Sequence, residues 1–349
     1  MGKNRHMGRN LINTIIGTGS YLPENRISND DLAKVVDLSD YDEMRGGPYP
    51  QWVERVMGFK FRYRAAPNQA TSDLALEAAE KALASAGISA LDLDLIIVTT
   101  ATPDKKGPNT ASILQAKLHA SEKACFAFDL NAACPGFVYA LHVADSLMKN
   151  GKYRLALVVA ADKMSTIVDQ ENYITAATFS DAAGAVVLNY SSAESGILEA
   201  FARSDGGKGG LLDVPAGGSS LPITLENCAE IYRKKLHCIT MNSHGTKNFA
   251  VEKLCESVSA VLGTPPKSLM DISYFLFHQA GKGIIEECKK NLNLETEKVL
   301  INYDRYANSS LASIPILLDE NHHLFKPGNL ILLAAMGGGL GWGSVLYRW

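Results

Sequence analysis

The chain has 349 residues, 46% of them hydrophobic and 20% charged, and 34 basic against 37 acidic side chains give a net charge of −3. A chain of this length can bury a large core without disulfide support, as one domain or as two. The near-neutral balance provides no global field for DNA or RNA, so nucleic acid is disfavoured as the main ligand.

Neither a membrane span nor a secretory signal is predicted. The apolar segment after the basic N-terminus is broken at Gly17 and Gly19, which leaves no signal-peptide core. The longest uncharged stretch, 327–347, contains six glycines and would make a poor lipid-facing helix; it fits two buried strands joined by turn glycines better. The six cysteines form no CxxC pair, which predicts reduced thiols and a cytoplasmic protein.

Seven short apolar runs without alternation predict strands that are buried on both faces. In chain order they are Leu95–Thr100, Ala124–Asp129, Leu155–Ala160, Ala183–Leu188, Tyr274–Phe277, Lys298–Ile301 and Leu330–Ala335. Amphipathic segments that end next to a glycine predict the helices Thr71–Ala86, Gly136–Lys149 and Asn248–Leu262. This alternation predicts an α/β protein with largely parallel sheets that are covered by helices.

The two halves of the chain repeat one order of elements. In the first half, two predicted strands are followed by a loop and a helix that opens at Cys134; in the second half, two strands precede a loop and a helical segment that opens at Asn308. This echo predicts two copies of one α/β unit. We place the boundary between residues 1–192, which carry Cys134, and residues 193–349, which carry His278 and Asn308.

Cys134 is the leading candidate for a nucleophile. It precedes Pro135, which suits the first position of a helix, so Cys134 is expected at the N-cap. Free backbone N–H groups and the helix dipole favour an anion there and lower the pKa of a thiol. The alternative is a small apolar core residue, which is what most free cysteines are. The position at a strand-to-helix turn favours the nucleophile.

Two further side chains and a glycine run are candidates. His278 ends a predicted strand, where α/β folds place ligands and catalytic groups, although a lone histidine there would be read as a hydrogen-bonded loop residue. Asn308 is either functional or a simple N-cap. The run 337–343 is either a tight turn or a source of backbone N–H groups for an oxyanion. No metal site is predicted.

A thiol, an imidazole and a carboxamide on an α/β scaffold point to acyl transfer through a thioester. Papain-like proteases use the same three residue types and are the obvious alternative. The duplicated α/β pattern does not suit that fold, and the sequence around Cys134 lacks that family's signature.

The sequence resembles the β-ketoacyl-acyl-carrier-protein synthase III family of the thiolase superfamily. The resemblance covers nearly the whole chain and depends on motifs that fall in the family's order. They are IIGTGSYLP at 15–23, NAACPGF at 131–137, FSDAAGA at 179–185, HQA at 278–280, NSSLASIP at 308–315 and GGGLGWGS at 337–344.

The resemblance implies a duplicated five-layer αβαβα sandwich that is active as a homodimer. It implies that Cys134 takes the acyl group, that His278 and Asn308 bind the malonyl thioester carbonyl during decarboxylation, and that the Gly338 and Cys134 N–H groups hold the acyl oxyanion. Acyl carrier protein and acyl-CoA are the implied partners. Coenzyme A or carrier-bound phosphopantetheine is then a substrate carrier, and no cofactor is expected.

The sequence departs from the family where coenzyme A and the carrier are held. The family's arginine four residues after Trp52 is here Val56, preceded by Arg55, and a second arginine aligns with Tyr173. The carrier-docking arginine is replaced near Lys282. We expect Trp52, Arg55 and Lys282 to bind substrate, and we expect acetyl-CoA to be a poor primer.

Gly107 aligns with the position where family members that prefer very short acyl groups carry a bulky aromatic from across the dimer interface. Glycine there either admits a longer acyl group or is only a turn residue before Pro108. The predicted function is a decarboxylating condensation of an acyl thioester with malonyl-acyl carrier protein, in fatty acid initiation or a related pathway. The alternatives are transfer of the acyl group to an alcohol or amine, and a non-catalytic carrier-binding subunit.

Overall fold

The computed structural model describes residues 11–263 and 268–349. Its strands are β1 (Leu11–Tyr21), β2 (Asn25–Ser28), β3 (Phe61–Arg64), β4 (Leu95–Thr99), β5 (Phe126–Leu130), β6 (Leu155–Asp162), β7 (Ala182–Ser192), β8 (Gly196–Ser204), β9 (Leu212–Asp213), β10 (Thr240–Met241), β11 (Ile272–Phe277), β12 (Leu330–Gly337) and β13 (Gly341–Arg348).

The α-helices are α1 (Asn29–Leu32), α2 (Glu43–Gly46), α3 (Tyr49–Trp52), α4 (Thr71–Ala86), α5 (Thr110–Lys117), α6 (Gly136–Met148), α7 (Thr175–Thr178), α8 (Cys228–Arg233), α9 (Ser243–Ala260), α10 (Lys282–Asn291), α11 (Tyr303–Tyr306) and α12 (Ser313–Asn321). The three predicted helices therefore correspond to α4, α6 and α9. A π-helical turn over Val53–Met57 extends α3, and short 3₁₀ turns connect several of the other elements.

Two mixed sheets with one topology form the frame of the molecule. The first has the order β1-β7-β6-β4-β5 and the second the order β11-β12-β13-β8. In the first sheet β4 pairs in parallel with β5 and β6, whereas β7 is antiparallel to both β6 and β1. In the second sheet β11 and β12 are parallel, and β13 is antiparallel to β12 and β8. The prediction of largely parallel sheets is wrong, because consecutive strands also pair directly through tight turns, as β12 and β13 do.

The helices cover both faces of each sheet, and together with the two sheets they form five layers. The small residues of α4 pack on the outer face of the first sheet. Helices α6 and α12 lie between the two sheets and share one apolar core with both of them. Helices α9 and α10 cover the outer face of the second sheet. This is the αβαβα sandwich expected from the sequence, and the domain boundary after residue 192 stays a prediction.

One predicted strand is wrong. Lys298 ends the 3₁₀ turn Thr296–Lys298, and Val299 forms a single parallel bridge with Phe275, so residues 298–301 do not form a strand. The chain leaves the sheet edge directly afterwards, because the Asn302 N–H donates to the side chain of Gln279. In the described part of the chain, no helix is both long and apolar enough to cross a bilayer. The uncharged stretch 327–347 instead forms β12, a glycine turn and most of β13.

Candidate active site

The three predicted chemical side chains meet at one cavity. Cys134 lies between β5 and α6, His278 directly follows β11, and Asn308 follows α11. All three line a cavity of about 200 Å³, and their exposed fractions are 8%, 2% and 5%. A site of this kind excludes most water and strengthens every electrostatic interaction within it.

Cys134 is held by a close backbone approach. A Cβ atom added to Gly337 would lie 2.6 Å from the Cβ of Cys134, so only glycine lets the end of β12 come this near. The preceding Ala133 has a φ of 48°, a left-handed conformation that costs energy for a residue with a Cβ. This conformation turns the chain sharply from β5 into α6.

The prediction of an N-cap thiol with a lowered pKa is wrong. Pro135 occupies the N-cap of α6, so Cys134 precedes the cap by one residue. Burial raises the pKa of the Cys134 thiol to about 11, because desolvation penalises the thiolate more than the nearby hydrogen bonds favour it. The thiol is therefore protonated at neutral pH before substrate arrives.

His278 is a neutral imidazole at the cavity wall. Burial lowers its pKa to about 4, since the imidazolium would lose its hydration without gaining a carboxylate partner. The Nδ1 atom lies 2.9 Å from the Oγ of Ser313, at the start of α12. This contact and a hydrogen bond with the backbone of Ser310 hold the imidazole in place at the cavity wall.

Asn308 is positioned by its backbone and by its side-chain oxygen. Its N–H donates to the carbonyl of Thr178, and its own carbonyl accepts from the N–H of Ser180. Its Oδ1 accepts the N–H of Ser310 at 2.9 Å. Among the described residues no acceptor is found for Nδ2, so its two hydrogens remain for a ligand.

A second cavity lies on the other side of Cys134. It measures about 490 Å³ and shares Cys134, Phe179 and Leu212 with the first cavity. Gly338 and Ser310 line it near the thiol. Its further wall is largely apolar: Met164, Ile167, Val214 and Ile239. The thiol therefore lies where two cavities meet: the smaller one, here named the entrance cavity, and the larger one, here named the chamber.

Comparisons with known proteins agree over nearly the whole chain. Two family models match: 3-oxoacyl-[acyl-carrier-protein (ACP)] synthase III at residues 128–206 and its C-terminal part at residues 266–349. The β-ketoacyl-[acyl-carrier-protein] synthase III of Caldanaerobacter subterraneus is 41% identical over 337 residues, which is 96% of this chain and 97% of the relative. The chain belongs to the synthase III family.

Solved structures of the synthase III family have the same fold. The 3-oxoacyl-[acyl-carrier-protein] synthase III of Aquifex aeolicus superposes with a TM-score of 0.83 at 39% identity, covering 97% of this chain and 100% of that one. The enzyme from Pseudomonas aeruginosa gives 0.84 at 33% identity, with 97% and 98% covered. The predicted family, fold and enzyme class are confirmed. So is the predicted activity, that of a β-ketoacyl-acyl-carrier-protein synthase.

The residues expected to bind substrate are only partly brought together in this synthase III chain. Lys282 lines the entrance cavity, and Arg55 lies in the adjoining surface depression. The wall of the entrance includes Val56 instead of Arg55, whose guanidinium donates to the carbonyl of Gly46. Trp52 lies among tyrosine rings, outside the walls of both cavities. Gly107 is exposed and lies outside both walls as well.

Three polar residues at the site were missed. Ser313 contacts His278, Ser310 contacts Cys134, and the buried carboxyl of Asp162 lies behind Ser310. Serines in a loop usually indicate helix capping, so Ser310 and Ser313 gave no separate signal. Asp162 did give a weak signal in the sequence. An acidic residue at the end of an otherwise apolar strand costs free energy to bury, so its presence there indicates a specific role.

Proposed function

We propose that Cys134 is the nucleophile that carries the acyl group, and that His278 and Asn308 drive the decarboxylation of the malonyl thioester. In this proposal, the neutral imidazole of His278 and the carboxamide of Asn308 each donate an N–H to the thioester oxygen in the entrance cavity. Loss of CO₂ leaves an enolate, and two neutral donors stabilise its oxygen without protonating its carbon. The carbanion then attacks the thioester on Cys134.

The observation that carries this proposal is the shared cavity wall of Cys134, His278 and Asn308. We further propose that the N–H groups of Cys134 and Gly338 hold the oxyanion formed at the acyl carbonyl, since Gly338 lines the chamber beside the thiol. The chemistry is supplied by these groups and by the two thioesters. Coenzyme A or phosphopantetheine enters as a carrier, and no resident cofactor is proposed.

The experiment separates acyl loading from condensation. Cys134→Ala is expected to abolish a hydroxylamine-sensitive acyl adduct, measured by mass spectrometry of the intact protein. His278→Ala and Asn308→Ala are expected to load normally but to condense with malonyl-acyl carrier protein about 100- to 1000-fold more slowly, the usual effect of losing one oxyanion donor. Cys228→Ala, at a cysteine outside both cavities, is the matched control. An adduct that persists in Cys134→Ala would overturn the assignment.

We also propose that the enzyme is a homodimer. Strand β5 is the edge of the first sheet, with a partner on one side only among the described strands. Its first residue, Phe126, is 46% exposed and packs beside Phe128. An open edge with apolar side chains favours pairing with the same edge of a second copy. Sedimentation equilibrium is expected to give twice the chain mass, and Phe128→Lys is expected to weaken the association.

A cytoplasmic location is part of the proposal. Cysteines 125, 134, 228, 238, 255 and 288 are all free thiols in the structure, as expected in a reducing compartment. A nucleophilic thiol is also protected there from irreversible oxidation.

A further inference from the structure

Cys134 must lose a proton when it becomes an acyl thioester, and its own setting does not favour the thiolate. Burial raises the pKa of the thiol, and the negative charge of Asp162 raises it further. A proton acceptor near the sulfur is therefore needed while the attack takes place.

The structure offers one hydroxyl at the sulfur. In the described part of the chain, Ser310 is the only side chain with a polar contact to the sulfur of Cys134, at 3.8 Å from its Oγ. Ser310 has a φ of 51°, so it is held in a left-handed conformation that a residue with a Cβ adopts only under constraint. This conformation lies in the 3₁₀ turn Ser310–Ala312, which packs against β6.

Behind this hydroxyl lies a fully buried carboxyl with one free oxygen. Asp162, the last residue of β6, has no exposed surface. Its Oδ1 accepts hydrogen bonds from Thr100 Oγ1, the Ala101 N–H and Thr102 Oγ1 at 2.8–3.2 Å. Its Oδ2 has no well-formed hydrogen bond in the described structure. Burial raises the pKa of the carboxyl, and the nearby Ser310 hydroxyl opposes that shift.

The other charged groups around Asp162 face elsewhere. Lys163, its neighbour in the chain, donates its ammonium group to the carbonyls of Ala66 and Gln69. The carboxylate of Asp181, near the start of β7, accepts from Ser165 and from the Ala65 N–H. His278, across the entrance cavity, is neutral above about pH 4. The charge that Cys134 meets is therefore that of Asp162.

We propose that Ser310 and Asp162 form a proton relay that accepts the thiol proton of Cys134 during acyl loading, an inference that depends on Cys134 being the nucleophile. As the Cys134 sulfur bonds to the acyl carbon, its proton passes to Ser310 Oγ, and the Ser310 hydroxyl proton passes to Asp162 Oδ2. The tetrahedral intermediate then expels the donor thiolate. Asp162 returns the proton through Ser310 to that thiolate, so the step needs no other reactant and the net charge of the buried site is unchanged.

The relay and a purely electrostatic role of Asp162 predict opposite results. If Asp162 only opposed the thiolate by its charge, Asp162→Asn would increase the thiolate fraction and speed up loading. If Asp162 receives the proton, the same variant slows loading although its thiol is more acidic. The sign of the change therefore distinguishes the two roles.

The test is the single-turnover rate at which octanoyl-CoA acylates the intact enzyme, measured by mass spectrometry as a function of pH. Asp162→Asn and Ser310→Ala are expected to load about 100-fold or more slowly near pH 7. Their deficit should shrink toward about pH 10, where hydroxide replaces the relay as the thiol approaches its own pKa. Ser310→Ala removes the hydroxyl but keeps the backbone N–H that donates to Asn308. It therefore still tests the relay if Asp162→Asn fails to fold.

Two matched control variants alter residues that are buried, as Asp162 and Ser310 are, but that take no part in the relay. Asp181→Asn alters another fully buried carboxylate, and Ser309→Ala alters a neighbouring buried serine. Both should keep the wild-type pH profile. Loading by Asp162→Asn at or above the wild-type rate, or a deficit of equal size at every pH, would overturn the relay. Complete absence of an adduct in the wild-type enzyme would instead overturn the proposed nucleophile.

Discussion

The Ser313 hydroxyl lies 2.9 Å from Nδ1 of His278 and also accepts the backbone N–H of Gln279 at 3.3 Å. The Ser313 hydroxyl has one hydrogen and can donate it to Nδ1. An imidazole that accepts at Nδ1 carries its proton on Nε2, as a donor toward the cavity must. We propose that Ser313 selects this tautomer, which the proposed decarboxylation needs.

Ser313→Ala is expected to slow condensation about tenfold or more while acyl loading stays unchanged, because in the proposed mechanism only condensation uses His278 as a donor. The measurement is condensation of the pre-acylated enzyme with malonyl-acyl carrier protein. Ser310→Ala is the converse variant, since it should slow loading and spare condensation. Equal losses in both half-reactions for Ser313→Ala would contradict the tautomer argument.

The condensation rate should not follow the titration of an ordinary histidine. Burial lowers the pKa of His278 to about 4. The imidazole is neutral above that pH and becomes charged only below it. Condensation by the pre-acylated enzyme should therefore be flat from about pH 5.5 to pH 8, with no inflection near 6.5. An inflection at that point that His278→Ala removes would show that the imidazole is solvated.

Gly337→Ala is expected to slow acyl loading of Cys134. The added Cβ would lie 2.6 Å from the Cβ and 3.0 Å from the backbone nitrogen of Cys134, so Cys134 or the end of β12 must move. A displacement of about 1 Å commonly costs 100-fold in rate. Gly206→Ala, where the added atom meets nothing within 4 Å, is the control. Normal loading by Gly337→Ala would show that the end of β12 moves without displacing the thiol.

The sequence pattern predicted much of the fold because its signals are local. Helix α4 was predicted with its exact bounds, since a glycine follows its amphipathic run directly. The antiparallel partners β1 and β8 were missed, because strand direction depends on pairing far along the chain. Residues 298–301 look like a strand, yet only Val299 reaches the sheet.

At the site, residue types were predictable but their environments were not. Cys134, His278 and Asn308 were found from strand ends and motifs, and the structure brings them to one cavity. The raised pKa of Cys134 was not predictable, because it depends on burial by elements distant in sequence. For the same reason, the contact between Ser310 and Asp162 is visible only in three dimensions.

A variant at Gly107 tests the size of the chamber, and the test depends on the proposed dimer. A Cβ at Gly107 would meet no atom of the same chain within 4 Å, so a larger side chain fits the single chain. If this loop reaches the chamber of a second copy, Gly107→Phe should shift loading from octanoyl toward acetyl groups. An unchanged chain-length profile, with the dimer intact, would assign Gly107 to the turn alone.

The aromatic rings around Trp52 oppose binding of the coenzyme A nucleotide there. The Trp52 ring has three tyrosine rings, Tyr41, Tyr49 and Tyr173, with centroids 5.6–6.1 Å away. Such distances are those of rings in contact, so a nucleotide base could stack on Trp52 only by displacing one of them. The entrance meanwhile has Val56, 48% exposed, where a cation would hold a phosphate.

A carrier-bound acyl group does not need those nucleotide contacts, because its affinity comes from protein docking. We therefore expect octanoyl-carrier protein to load Cys134 faster than octanoyl-CoA, and acetyl-CoA to be slowest, at equal concentrations. Val56→Arg is expected to lower KM for octanoyl-CoA about tenfold or more, since a charge-assisted hydrogen bond contributes about 1.5–3 kcal/mol. The same variant should leave loading from the carrier protein unchanged. Fastest loading from acetyl-CoA by the wild-type enzyme would contradict the prediction, and Arg55 or Lys282 would then have to supply the missing charge.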